Sequence, residues 1–315
     1  MAATTIRNLS GFSLSWLLVV AGGFALLRLM PGDPVIIFLD ASGLGADGAV
    51  LERMRAAWGL DAPLFVQFLD WLARFISGDW GISYATGRPV LPEIAGRLPW
   101  SVTIGAGGLG LAVIVGFRLG FAAAARPGGV ADRLSRLLAI GAQALPAFAV
   151  GFVLLWLLAI EFRLVRPLSG GVAERLFLPI LLVALFSIGS VARVTRVAFC
   201  EIRDRPYFTT ALAKGCSRRV ALWRQGRRHA ALTLLAVIMP EAAWIIGGTA
   251  IAEIVFSLPG LSEYVVRAVA ARDYAVLQAF IAIVALWLLL VQRAAALARR
   301  SLDPRLADQL EWRDA

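Results

Sequence analysis

An all-α, polytopic membrane fold with about six transmembrane helices is the architecture this sequence predicts, and three observations carry it. The chain is 59% hydrophobic and 17% charged, with a mean hydropathy of +0.77. Soluble domains stand near roughly 45–50% apolar and about 25% charged. Its apolar residues gather into runs of the ~20-residue length that a bilayer demands, because in hydrocarbon every backbone group must be bonded within its own segment. Its basic residues fall unequally on the loops between those runs.

The runs cover residues 10–30, 100–125, 134–160, 176–199, 231–256 and 276–297. Arg7 precedes the first, as in a signal peptide, but the apolar run exceeds the ~7–15 residues of a signal core. It also ends in RLMPGDP instead of a small-residue cleavage site, so a retained first helix is expected. The second run is rich in glycine, the third, fourth and sixth are the cleanest, and the fifth is interrupted by Pro240 and Gly247–Gly248. The linear organisation expected is an N-terminus with the first helix (1–30), an external segment (31–99), a five-helix core (100–298) and a tail (299–315). A cytoplasmic loop at 200–231 belongs to that core.

Orientation follows from the positive-inside rule. An even number of spans puts both termini on one side. The loops of that side, 126–136 and 193–228, together with the termini, hold 19 lysines and arginines against 10 for the others. Both termini are therefore expected in the cytoplasm. Arg28 and Arg118 lie near span ends, where snorkelling to the headgroups is the expected behaviour. Cys200 and Cys216 fall on the cytoplasmic side, where thiols stay reduced.

Several chemistries are missing. The single lysine, Lys214, follows Ala213, so no P-loop can form, and ATP binding of that kind is excluded. One histidine and two cysteines cannot build an H-E-x-x-H or paired-cysteine metal site, and no G-x-S-x-G occurs. Neither enzyme activity nor a cofactor or metal is expected.

Glu241, after Pro240 in the fifth run, is the polar residue most in need of a reason, since an intramembrane charge costs at least ~2.5 kcal/mol. About nine residues in at ~1.5 Å each, it lies ~14 Å deep in a ~30 Å core. A carboxylate lining a hydrophilic path and one bonded to a neighbouring helix both fit.

The loop between the fourth and fifth runs is dense in arginine. Tyr207, Thr210, Ala211 and Lys214 are spaced to share one helical face, and Gly215 is a good helix stop. A helix, a sharp turn and a second helix are expected. Small residues at Thr210, Ala211, Ala213 and Gly215 permit close approach by a partner. Composition alone also allows topological anchoring and lipid-headgroup binding. Nucleic acid is not an expected partner, since the loop is poor in aromatics and lies against a membrane.

The order Y-x-x-T-A-x-A-K-G-x-S at 207–217 resembles the cytoplasmic loop of bacterial ABC importer permeases, within the dipeptide/oligopeptide/nickel family. LRLMPGDPV (27–35), WGLDAPLFVQFLDWL (58–72), SGDWGIS (77–83) and GRPV (87–90) resemble the same family in register. So do ALPAF (144–148), ARVTR (192–196), AEIVFSLPGLSEYVVRAVAARDYAVLQ (252–278) and LDPRL (302–306). The resemblance implies a type I importer permease fold in the bacterial inner membrane, with a large external segment between helices 1 and 2. It implies pairing with a second homologous permease, two ATPase subunits and an extracytoplasmic binding protein that delivers a peptide or similar small polar solute or metal complex. Tyr207, Thr210, Ala211, Ala213, Lys214 and Gly215 then form the ATPase-coupling helix, and Glu241, where relatives often carry Gln, lies on a possible translocation path. Gln225, His229 and Thr233 depart from the family pattern, so a different seating of the second cytoplasmic helix is expected. The alternative class is a stand-alone secondary transporter or channel, which has no need of a docking helix.

Overall fold

The computed structural model describes residues 2–30, 32–41 and 48–302. The expected tail lies outside the described residues beyond Leu302, as do most of the LDPRL motif and the side chain of Arg7. Among the described residues the secondary structure is helical apart from one isolated bridge, Ile82 to Pro89.

Among the described residues four helices are long and apolar enough to cross a membrane: Ser10–Leu29, Val90–Ala125, Val172–Asp204 and Tyr274–Arg299. The expected third span is a pair, α6 (Val130–Ala144) and α7 (Ala147–Leu154), the latter continued as a π-helix over Leu155–Glu161. The pair is bent by 113° and makes a fifth crossing if counted as one span. Pro146 explains the bend, because the residue before a proline is driven out of the helical region, and Leu145 is extended at φ −103, ψ 135. The expected span over 231–256 is not one helix. Helix α10 (Arg218–Ala243) starts in the basic loop and stops just after Pro240, and a short α11 (Ala250–Val255) follows a turn in which Gly247 takes φ +101.

The chain folds as two compact units. One comprises the residues up to Pro99 with Pro259–Leu289, and includes the short helices α2 (Pro34–Ala41), α3 (Gly48–Ala57) and α12 (Leu261–Ala270). In it α1 (Ala2–Leu29) packs on α4 (Leu64–Ser77), with Phe24 edge-on to Phe68 at 5.3 Å. Trp16 Nε1 donates to Ala282 O at 2.9 Å, which ties α1 to α13 (Tyr274–Leu302). Asp273 is buried and accepts from Ser83 Oγ at 2.5 Å and the Ala85 N–H at 3.2 Å, which holds the loop after α4.

The other unit comprises Trp100–Leu258 and the residues from Leu290 on. Its centre is α8 (Val172–Glu201), and Gly107, Gly108, Gly116 and Gly120 of α5 (Val90–Ala125) face it. Gly108, Ala112, Gly116 and Gly120 recur every fourth residue on one face, the small-residue spacing that lets membrane helices touch. A Cβ on Gly120 would stand 2.4 Å from Ala192 O, and one on Gly116 2.7 Å from Val191. Gly189 of α8 approaches the Ala139 backbone of α6 as closely. Near the start of α6, Asp132 is buried and pairs with Arg196 of α8 at 2.7 Å.

Candidate functional site

The basic loop begins where α8 ends. A 3-10 turn, Ile202–Asp204, leads to an extended Arg205, and Pro206 then opens α9 (Pro206–Ala213) at the first helical position. Proline suits that position, because its missing N–H would have had no helical partner.

The exit of α9 is a Schellman motif. Gly215 sits at φ +83, its N–H donates to Leu212 O at 2.9 Å, and the Cys216 N–H donates to Ala211 O at 3.2 Å. The stop expected at Gly215 is present, for the conformational reason expected. Ser217 then takes the position before α10 in an extended conformation, without a side-chain capping bond.

One side of α9 is committed to the unit's interior. Phe208 and Ala211 are buried with Phe199, Ile202 and Leu222, while Leu212 and Cys216 pack at the margin. The opposite side is free: Tyr207, Thr210, Ala213, Lys214 and Gly215 are exposed. Ala211, expected on the approachable face, supports the helix from beneath instead. The underside is also braced by aromatics: Phe121 meets Phe199 edge-on at 5.0 Å and Trp223 at 5.2 Å. Gly226 of α10 lets Phe199 seat closely, since a Cβ there would lie 2.6 Å from its ring. His229 and Thr233 are held by local contacts. His229 Nε2 lies 2.9 Å from Glu201 Oε2, joining α10 to the end of α8, and Thr233 Oγ1 donates to His229 O.

A second feature of the same unit surrounds the break between α10 and α11. A cavity of about 190 Å³ is lined mainly by apolar side chains, with Ser187, Glu241 and Thr249 as its polar members. Ser187 Oγ donates to Glu241 Oε2 at 3.1 Å. Glu241 thus borders a cavity and also bonds a neighbouring helix. Glu253, which the sequence reading passed over, is fully buried, and its Oε1 accepts from Thr249 Oγ1 at 2.5 Å and Ser101 Oγ at 2.7 Å. The signal for it was a carboxylate inside the apolar run AIAEIV.

In the other unit, Arg28 does not snorkel as expected. Its guanidinium lies between two rings, 4.8 Å from the centre of Phe24 and 4.6 Å from that of Tyr274, and Nε donates to Gln67 Oε1 at 2.9 Å. Arg118 is exposed. No cluster of three or more metal-ligating side chains occurs among the described residues.

A family model described as binding-protein-dependent transport system inner membrane component matches residues 116–308. The chain is 34% identical over 293 residues to a probable peptide ABC transporter permease protein of Sinorhizobium fredii, covering 90% of this chain and 92% of that one. It is 31% identical to the glutathione transport system permease protein of Pectobacterium atrosepticum and 30% identical to that of Escherichia coli, each over 96% of this chain and 97% of the relative. None of these three descriptions names nickel.

Proposed function

The chain belongs to the family of binding-protein-dependent transport system inner membrane components, and from that premise we propose that it drives import by coupling through α9 to an ATPase made by other subunits. As a permease component of an ABC importer of the peptide or glutathione kind, it has no P-loop of its own. The observation that carries the proposal is the construction of α9. A helix of eight residues is locked at its exit by the turn at Gly215 and anchored from beneath by Phe208 and Ala211. It presents Tyr207, Thr210, Ala213 and Lys214 outward. A helix fixed to α8 and α10 in this way transmits a push from a docked ATPase to the spans on either side, because packed interiors pass on displacement instead of absorbing it.

In this reading both termini and α9 are cytoplasmic, a second homologous permease completes the pathway, and an extracytoplasmic binding protein delivers cargo to the segment between the first two spans. ATP closes two partner ATPase subunits, the docked helices move with them, and the permease pair opens outward. The cavity at Glu241 lies on the path and prefers cationic cargo. Glu241→Gln then lowers uptake of such cargo by about tenfold, the equivalent of one lost interaction of ~1.4 kcal/mol. Unchanged uptake of every cationic candidate sinks that part.

The break between α10 and α11 also favours a stand-alone transporter, since broken helices carrying polar groups mark such proteins. One experiment separates the two. Membranes from cells expressing this chain with its neighbouring genes are solubilised, and the chain is purified as wild type and as a Lys214→Glu, Gly215→Val double variant. ATPase subunits recovered with the wild type and lost from the variant support coupling through α9. A folded, inserted wild type that brings down no ATPase supports the stand-alone reading.

A further inference from the structure

A second cavity, in the unit built from the first 99 residues and Pro259–Leu289, holds groups that the coupling reading leaves unused. It measures about 640 Å³, inside the roughly 300–1,000 Å³ range of small-molecule sites. Its walls are aromatic, with Trp58 and Tyr84 stacked at 3.8 Å and an angle of 4°.

Its polar lining is unusual. Arg28 is pinned between Phe24 and Tyr274 and bonded to Gln67. Gln278 lies one turn beyond Tyr274 on α13, and Trp71 one turn beyond Gln67 on α4. Residues four apart share a helix face, so each helix that holds Arg28 carries a further N–H donor on the same side. Trp71 reaches the same turn of α1, with its ring 6.5 Å from that of Phe24. Among the described residues nothing accepts a hydrogen bond from Arg28 Nη1, Trp71 Nε1 or Gln278 Nε2, although all three atoms are buried. Gln278 is only 5% exposed.

A buried donor without an acceptor destabilises a fold, and three such donors around one cavity call for an acceptor that enters it. With a guanidinium among them, that acceptor is an oxyanion, which a planar fork of N–H groups matches in charge and shape. Asp70, Arg74 and Asp79 also line the cavity but are exposed, so solvent screens them.

We propose that this cavity binds a small solute bearing a carboxylate or similar oxyanion. Its oxygens bond Arg28 Nη1, Gln278 Nε2 and Trp71 Nε1, and its apolar part lies against Trp58 and Tyr84. A phospholipid headgroup offers the same oxyanion chemistry, and the test separates the two sources.

The full chain is placed in nanodiscs of phosphatidylcholine alone and titrated calorimetrically with phenylacetate and with its neutral analogue phenylacetamide. Wild type binds the acid and not the amide. The Trp71→Phe, Gln278→Leu double variant keeps the ring packing and removes two donors, so it binds phenylacetate about tenfold or more weakly, with a thermal midpoint no lower than wild type. Should that variant fail to fold, Gln278→Leu alone still weakens binding. Equal binding of acid and amide, no binding by wild type, or undiminished binding by the folded variants overturns the assignment. In a second arm phosphatidylglycerol is added to the discs. Unchanged phenylacetate binding supports a free solute, and loss of binding gives the donors to the headgroup and overturns the solute assignment. No ATPase takes part, so this result stands or falls apart from the coupling reading.

Discussion

The basic loop around α9 and the cavity around Arg28 use positive charge in opposite ways. In the loop, Lys214 and most of the arginines stay in solvent while apolar and small side chains do the packing. In the cavity one arginine is half-buried, held by two rings and a glutamine, and left with a buried, unpaired donor beside two others. Shape is the asset of the first region, a rigid knob whose own hydrogen bonds are closed. Unsatisfied chemistry is the asset of the second. The proposed occupants follow that difference, a protein partner at the knob and a small charged ligand in the cavity.

The largest break in that contrast comes from the packing under α9. Phe208→Ala is expected to remove about 3–5 kcal/mol of local stability, the usual loss for a buried phenylalanine. Amide exchange over 206–216 should accelerate strongly while the spans stay protected. Protection unchanged in the loop means that the cluster around Phe199 does not hold α9.

A smaller effect tests the turn. Gly215→Val places a β-branched residue at φ +83, at about 1–2 kcal/mol of strain, and should abolish recovery of ATPase subunits without lowering the amount of inserted protein. Gly215→Asn, a residue that visits this conformation readily, should retain most of it. A Cβ at Gly215 meets no atom of this chain within 4 Å, so loss in both variants means the partner itself needs the space, and normal recovery with valine removes the turn from the argument.

The smallest effect belongs to the cavity wall. Burial pushes the Tyr84 hydroxyl up to about 12, although Arg28 pulls the other way. Because the folded value is raised, the protonated phenol contributes stability that is whole below the ordinary value near 10. It is lost as pH climbs through about 12. The absorbance change of phenolate should show a late step that disappears in Tyr84→Phe. Identical titration curves for the two proteins exclude a buried Tyr84.

The turn at Gly215 was legible because its determinants are adjacent: a helical face, a glycine and a polar exit. The bend at Pro146 had its signal too, in the proline itself, but an unbroken apolar run masked it and one straight span was expected. Helix α10 was divided too early, since the shift from basic to apolar residues near Ala231 marks a change of surroundings and not of backbone. Ala211 was assigned to the exposed face because helical spacing groups residues without saying which group turns inward. That choice belonged to Phe199 and Leu222, which bury it.

By itself the sequence determined the membrane class, most of the spans, the position and exit of α9 and the absence of a P-loop motif, because hydropathy, periodicity and turn chemistry are local properties. Only the tertiary structure decided that Arg28 is clamped by a ring 246 residues away, that Glu253 is buried against Ser101 and Thr249, and which donors around a cavity go unpaired. Those outcomes depend on which surfaces meet after the helices pack. A charged or polar side chain takes the environment that packing leaves it, and local spacing carries no record of that.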